Sequence, residues 1–438
     1  MQTEILDTKK ITLPQFWILA LCYVAMMLNG FANVIISYTA PAISQSWGVS
    51  AEELGLVFSA GLCGMTVGAM FLSSAADVYG RRLLVSAAIA LTGVATLVVC
   101  VIDSVPLLIA SRFVAGIGLG AILAVLLGFG GEYCPKDHRE FILAALVSAT
   151  SVGAVLGGLA TPWSIDNHGW QSVYLGTGLL TLAVAALFYA LIPESLQHLA
   201  NRGGSDALAK INRILDLLRQ PRLQQLPESG AAKPEAASAS SLLAPARRRM
   251  TLLAWATFFI GFAGMYFIVS WLPKLFVDAG IPEAQSIQAV VILTFGSMTG
   301  SLLIGWLARF WPLRVLIAIS FATAAVLILV LSLVIRGDQV GIFAVWALSF
   351  LLGVSYLGAF ANLYAVALSI YPPTIRVTGL GWCIGLGRVG AIISPMVAGV
   401  VLGAGAAPAN VLAWSAVAVA LAAIGIRLVR PAEETSAQ

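Results

Sequence analysis

The chain has 438 residues, of which 60% are hydrophobic and only 10% charged, with a net charge of +4. Soluble globular proteins carry about 25% charged residues, so this composition excludes a soluble chain and describes one that crosses a membrane repeatedly. The small positive excess says little about nucleic acid. The five cysteines (Cys22, Cys63, Cys100, Cys134, Cys383) lie in or beside apolar stretches without metal-ligand spacing, which excludes a disulfide or zinc framework.

The opening stretch MQTEILDTKKITLPQ is polar. The apolar run after it is too long for a signal peptide and has no small-residue cleavage site, so it reads as a retained span. Apolar stretches of spanning length fall at about 16–43, 53–76, 83–102, 106–131, 141–163, 171–192, 251–277, 285–308, 313–335, 340–370, 376–403 and 409–429. The expected fold is an all-α polytopic membrane protein with twelve transmembrane helices in two pseudo-symmetric six-helix bundles. The domains then fall at 1–192, 193–250 and 251–438. Basic residues decide the orientation: Lys9, Lys10, Arg81, Arg82, Lys136, Arg139, Arg309, Arg314, Arg376, Arg427 and Arg430 occupy one set of loops, against Lys274 and Arg336 on the other. Both termini are therefore expected in the cytoplasm.

Between the halves, Ser205 to Arg219 places Leu208, Ile211, Leu215 and Leu218 on one helical face, with Lys210, Arg213 and Asp216 elsewhere. This amphipathic helix is expected along the inner membrane surface. The Ala-, Ser- and Pro-rich residues after it, ending at Arg247 to Arg249, read as a flexible linker. The halves also repeat weakly: SYTAP from Ser37 against VSWLP from Val269, Glu132 with Arg139 against Ile370 with Arg376, and Gly153 to Gly157 against Gly390 to Ser394.

Two basic residues lie inside spans. Arg388 sits about 18 Å along span eleven from Arg376, near the midplane of a hydrocarbon core about 30 Å thick. A guanidinium there costs at least about 2.5–3.5 kcal/mol unless it faces protein or water, which points to a ligand or ion pathway. The bland alternative is a structural arginine satisfied by backbone carbonyls. Arg112 opens a row Arg112, Gly116, Gly120 on one face of span four. None of the twenty acidic residues lies near the midplane, so an intramembrane carboxylate relay is not visible. Two buried cations without opposing acids ask for an anion, because guanidinium forks match carboxylate or phosphate oxygens.

Span one carries Asn29 and Asn33, amides placed either to meet a ligand or to join helices. The glycines around Arg388 would let neighbouring helices approach. Aromatics gather in spans seven, ten and eleven, and Tyr266, Tyr364 and Trp382 are candidate ligand contacts for a flat molecule. The loop from Ser73 to Arg82 holds Asp77, a glycine turn and an arginine pair. Asp77 and Arg81, with Glu132 and Arg139, are candidates for a charge network that locks helices in one arrangement, the alternative being ordinary positive-inside charge. No phosphate loop, nucleophile triad or metal cluster is present, so neither an enzyme nor a cofactor is expected. His138, His168 and His198 fall in loops.

Asp77 to Arg82, Arg112 to Gly120 with Glu132-Tyr-Cys-Pro, Trp170-Gln-Ser-Val with Pro193-Glu-Ser-Leu, Ser270-Trp-Leu-Pro, and Tyr371-Pro-Pro-Thr-Ile-Arg through Arg388 resemble the major facilitator superfamily. Within it the sequence is most similar to the aromatic acid/proton symporter family. The resemblance implies the major facilitator fold, an aromatic carboxylate substrate, and Arg112 and Arg388 as substrate contacts. That family has D-G-F-D in span one where this chain has Asn29-Gly30-Phe31-Ala32. The first glycine of its loop signature is Ser73 here, and its glutamate before the span-ten Tyr-Pro is Ser369.

The expected function is a secondary transporter of the bacterial inner membrane that moves an aromatic carboxylate or similar small organic anion by alternating access. An anion exchanger, facilitator or efflux carrier without carboxylate-based proton coupling is a second reading, and a non-transporting sensor a third. The expected partners are the anion, with protons as a candidate co-ion, and the lipid bilayer, with no nucleic acid and a monomeric state.

Overall fold

The computed structural model describes residues 11–135, 138–203, 206–225, 242–245, 247–337, 341–371 and 375–429. Twelve helices long and apolar enough to cross a membrane occur among them: Leu13–Trp47, Ala51–Leu72, Arg81–Val98, Val105–Glu132, Phe141–His168, Trp170–Leu191, Arg248–Asp278, Glu283–Leu307, Leu313–Val334, Ile342–Ile370, Thr378–Gly403 and Pro408–Leu428. Every boundary lies within about five residues of the one expected from hydropathy. The reason is physical: in lipid a backbone must satisfy its own N–H and C=O groups, so a long apolar run has little choice but helix. Spans two and ten each contain one turn of wider π-helix, at Gly68–Leu72 and Gly353–Leu357.

Two short helices follow span six, Leu196–Arg202 and Ala207–Leu217. The second is the amphipathic helix expected from the sequence, but its apolar face is not free for lipid. Ile211, Leu215 and Leu218 are fully buried in a hydrophobic core with Ile18, Leu19, Cys22, Phe129 and Phe188. Bundle side chains cover that stripe, so the membrane-surface expectation is corrected to a helix docked on protein. The linker expected after it lies outside the described residues except for 242–245 and from 247 onward.

By contact density the chain forms two compact units. One comprises Met1–Ile35, Cys63–Gly157 and Asn167–Pro234; the other comprises Ile36–Leu62, Gly158–Asp166 and Glu235–Gln438. The first is cored by the cluster named above. In the second, Trp271, Tyr38, Tyr356 and Tyr371 are the largest fully buried side chains among the described residues, followed by Phe258, Phe276 and Phe321.

The repeat is sharper in the structure than in the sequence. Where spans two and four cross, a Cβ on Gly64 would overlap the carbonyl of Phe113, and one on Gly68 that of Ile117. Where spans eight and ten cross, Gly296 meets Phe350 and Gly300 meets Val354 in the same way. The offsets are 232 from Gly64 to Gly296 and 237 from Phe113 to Phe350. The same two offsets carry Gly153 against Met27, where spans five and one cross, onto Gly390 against Phe259 in spans eleven and seven. They also carry Pro41 onto Pro273, each inside its helix. Asn29, whose Nδ2 donates to the Leu119 carbonyl at 3.0 Å, maps with its partner onto Gly261 and Tyr356, where the Tyr356 hydroxyl donates to the Gly261 carbonyl at 2.9 Å. One six-helix plan, with the same close glycine contacts, has been used twice.

Candidate functional site

Span eleven sorts its glycines by side. A Cβ on Gly379 would strike the Tyr371 ring, one on Gly387 the Phe262 ring and one on Gly390 the Phe259 carbonyl, so these three bring span seven and the Tyr371 loop close. Gly381 and Gly385 instead face open space. Steps of four and three residues keep Gly381, Gly385 and Arg388 on one side of the helix. Arg388 is half-buried there, and no ion pair holds it among the described residues. Tyr266 and Tyr364 lie close enough to interact with its charge.

Behind these groups stands an aromatic wall. Phe258, Phe262 and Tyr266 follow one another at four-residue spacing on span seven, with successive centroids 6.3 Å apart and near-parallel rings. Phe360 meets Phe262 edge-on at 4.8 Å, and Tyr364 is edge-on to Phe258, Phe262 and Phe360. Trp382 is 43% exposed and stacks on Trp255 at 5.6 Å. The expected contacts Tyr266 and Tyr364 are thus brought to Arg388, whereas Trp382 belongs to a separate stacked pair.

Beyond Arg388 the same side of span eleven is covered by span two, within the second unit. Ser59 donates to the Ile392 carbonyl at 2.7 Å. A Cβ on Gly55 would lie 2.8 Å from the Pro395 carbonyl, and one on Gly399 2.5 Å from that of Ala51. Trp271 closes this region by donating Nε1–H to the Pro395 carbonyl at 3.1 Å, with Phe58 edge-on to its ring. The side is therefore open at Gly381 and Gly385 and sealed past Ile392.

The remaining expected contacts lie in the first unit. Asn29 commits its amide to Leu119 as described. Asn33 is half-buried on the same span. Arg112 is 2% exposed and donates Nη2–H to the Ala32 carbonyl at 3.1 Å.

The charge network is assembled around Glu132 at the end of span four. Arg81 pairs with one carboxylate oxygen, while the other accepts from the Ser195 hydroxyl at 2.7 Å and the Gln197 amide at 3.3 Å. Arg139 lies against Gly131, next to Glu132. The Asp77 side chain lies outside the described residues. Glu194, which residue-level reasoning left out of the network, joins it twice: its carboxylate accepts from the Arg82 and Ser195 amides at 3.0 and 2.9 Å, and its carbonyl accepts from the Tyr133 hydroxyl at 2.8 Å. Arg82 stacks on Tyr189 at 4.7 Å. Pro193-Glu-Ser-Leu was the available signal for Glu194. Burial pushes the Cys134 thiol beside this network up to about 11, with Arg139 partly offsetting it, so the cysteine stays a neutral packing group.

Twelve spans, a duplicated six-helix plan and a guanidinium set in an aromatic wall define a multi-pass membrane transport protein. The chain belongs to the Major Facilitator Superfamily, which it matches over residues 22–395, and it is a transport protein, not an enzyme. It is 32% identical to the gallate transporter of Pseudomonas putida over 408 residues, covering 91% of this chain and 88% of that one. It is 28% identical to the 4-hydroxybenzoate transporter PcaK of Acinetobacter baylyi, covering 94% and 90%. Among solved structures, a bacterial homolog to the human lysosomal transporter Spinster in an inward-facing and occupied conformation has a TM-score of 0.74 at 14% identity, covering 96% and 97%. The inward-open xylose transporter XylE from E. coli has a TM-score of 0.72 at 15% identity, covering 95% and 96%. These two likenesses concern the fold alone.

Proposed function

We propose that this protein carries an aromatic carboxylate across the bacterial inner membrane by alternating access, working as a monomer with both termini in the cytoplasm. The observation that carries the reading is Arg388: a half-buried guanidinium with no ion-pair partner among the described residues, beside two tyrosines and an aromatic wall, on the side of span eleven that two glycines leave open. A carboxylate supplies the charge this group lacks, and a flat ring suits the aromatic surface and the bare backbone next to it. The relatives named for gallate and 4-hydroxybenzoate transport support the same substrate class. Asn29 and Arg112 are enclosed in the first unit, so the substrate contact rests on Arg388, Tyr266 and Tyr364, with Trp382 at the margin.

The test is a thermal-shift panel of aromatic acids, aliphatic mono- and dicarboxylates and cationic drugs on purified protein, since a binder stabilises the folded state by mass action. Aromatic acids should raise the melting temperature of the wild type. Arg388→Ala should weaken that binding by about 2–5 kcal/mol, the cost of losing a desolvated charge partner. Unchanged affinity in this variant would sink the reading.

A further inference from the structure

The exposed side of spans nine and twelve carries a groove of about 670 Å³, lined by side chains between Ala318 and Leu329 and between Ala416 and Leu428. Its volume falls in the range of ligand pockets, about 300–1,000 Å³. Alanines make the floor: Ala318, Ala325, Ala416 and Ala423 are buried. The branched residues beside them, Ile319, Val326, Val417 and Ile424, stand as rims and are each more than half exposed. Small side chains let the two helices approach and leave the space between the rims unfilled.

The groove is one leaflet deep. It runs eleven positions along each helix, Ala318 to Leu329 and Ala416 to Arg427. At about 1.5 Å per residue that is about 16 Å, half of a hydrocarbon core about 30 Å thick. Arg314, near the start of span nine, donates to the Val429 carbonyl beyond span twelve at 3.4 Å, so these two ends lie together. Phe310 and Trp311, exposed just before span nine, mark this end as headgroup level, where aromatic side chains collect.

Arg427 is the only charged residue in the lining, and it stands at this mouth, exposed and without an ion pair among the described residues. From Ala284 to Val429 the described residues include no Asp or Glu. The mouth therefore offers guanidinium groups, Arg427 with Arg314 beside it, and no carboxylate. An arginine in the last turn of a span also suits the helix dipole and the positive-inside rule. That account places the charge but not the groove below it, and the repeat has neither: the offset of 237 puts Leu179 at Ala416 and Ala190 at Arg427.

We propose that this groove holds an acyl chain of an anionic phospholipid whose headgroup phosphate sits on Arg427. The guanidinium fork matches two phosphate oxygens, and basic pockets between transmembrane helices suit such headgroups. A zwitterionic lipid with the same chains binds less well, because its cationic group meets only arginines. A helix of a second copy fits worse still, since it would cross both leaflets and set apolar surface against Arg427. The groove lies on helices other than the span eleven that carries Arg388, so the lipid is not the transported anion. On the orientation proposed above, its leaflet is the cytoplasmic one.

The experiment incubates the full-length protein, purified in detergent, with phosphatidylglycerol, phosphatidylcholine or diacylglycerol of the same chains, or glycerol 3-phosphate. Native mass spectrometry counts retained lipid, and the melting temperature is recorded in parallel. Phosphatidylglycerol should be retained and raise the melting temperature, and the other three should do so weakly or not at all. Arg427→Gln should weaken phosphatidylglycerol binding about fivefold, the worth of one arginine at a membrane surface. Arg336→Gln, the same charge change at the opposite end of span nine, should leave it unchanged. Ala322→Leu with Ala420→Leu fills the groove and should remove the bound lipid, while the lipid-free protein melts no lower. Equal retention of the two phospholipids or of diacylglycerol, stabilisation by glycerol 3-phosphate alone, or unweakened binding in Arg427→Gln overturns the proposal. So does a dimer that the double leucine variant abolishes, which would give the groove to a second copy. If the double leucine variant does not fold, Arg427→Gln against Arg336→Gln still decides, because both residues are exposed at span ends.

Discussion

Gly80 has a φ of 102°, a region that side-chain-bearing residues rarely adopt, and a Cβ there would lie 2.6 Å from a carboxylate oxygen of Glu194. Two requirements meet at one residue: the turn between spans two and three needs the conformation, and Glu194 needs the space to reach the Arg82 amide. Gly80→Ala should therefore cost about 1–3 kcal/mol from backbone strain and displace the carboxylate as well. The check is thermal unfolding in detergent beside Glu194→Gln, which keeps the turn and weakens only the acceptor, so Gly80→Ala should melt lower of the two. Gly80, Arg81 and Glu132 were legible in the sequence because a turn glycine and charges at helix ends stand out. Glu194 was not, because a glutamate after a proline beyond a span reads as solvated loop until the fold returns it to span four. Arg388 was legible for the opposite reason: a charge in an apolar run must face protein or water, which narrowed it to a ligand contact or an arginine satisfied by backbone carbonyls.

At the scale of whole helices, the glycines of span eleven and their counterparts divide into packing and open positions, and the division is measurable. A Cβ on Gly153 would run into the Met27 carbonyl, and one on Gly390 into that of Phe259. Spans one and five, or seven and eleven, would have to part to admit it. Gly153→Ala and Gly390→Ala should each destabilise by about 1–3 kcal/mol, as overpacking does, whereas Gly381→Ala and Gly385→Ala should leave the melting temperature within error. Equal losses at all four positions would mean that span eleven is packed all round and has no open side. Hydropathy foresaw the spans themselves, because twenty apolar residues in lipid admit few structures. It did not foresee which side of each helix faces a neighbour, since an all-apolar span has almost no polar face from which to read direction. The same blindness put the helix Ala207–Leu217 on the membrane surface: its stripe was visible, but whether lipid or protein covers it depends on distant residues such as Ile18 and Phe188.

For the molecule as a carrier, the open question is what moves with the anion. A proton symporter needs a group in the path that titrates near ambient pH. In the described spans, acidic residues occur only within about three residues of the ends: Glu52 and Glu53, Glu132, Asp166, Asp278 and Glu283. Asn29 cannot titrate and is tied to Leu119, Ala32 is a buried methyl, and arginine remains protonated. His138 and His168 are exposed at span ends, and His198 sits on a short helix outside the spans. The empty carrier should thus keep its positive charge at every working pH, with the bound anion supplying the neutralising charge that favours reorientation. We predict that transport varies with pH only as far as the substrate itself titrates, and that the protein exchanges or equilibrates anions and does not concentrate them with protons. Asn29→Asp combined with Ala32→Asp should introduce pH dependence or, by repelling the ligand, weaken binding. Uptake into proteoliposomes with and without an imposed inward proton gradient decides the matter. Gradient-driven accumulation by the unmodified protein, abolished by a protonophore, would refute the prediction and turn attention to Glu283, half-buried at the start of span eight with one carboxylate oxygen lacking a partner among the described residues. If Glu283→Gln then removed that accumulation while leaving anion exchange intact, the proton path would run through the sealed end of the spans and not through the site at Arg388.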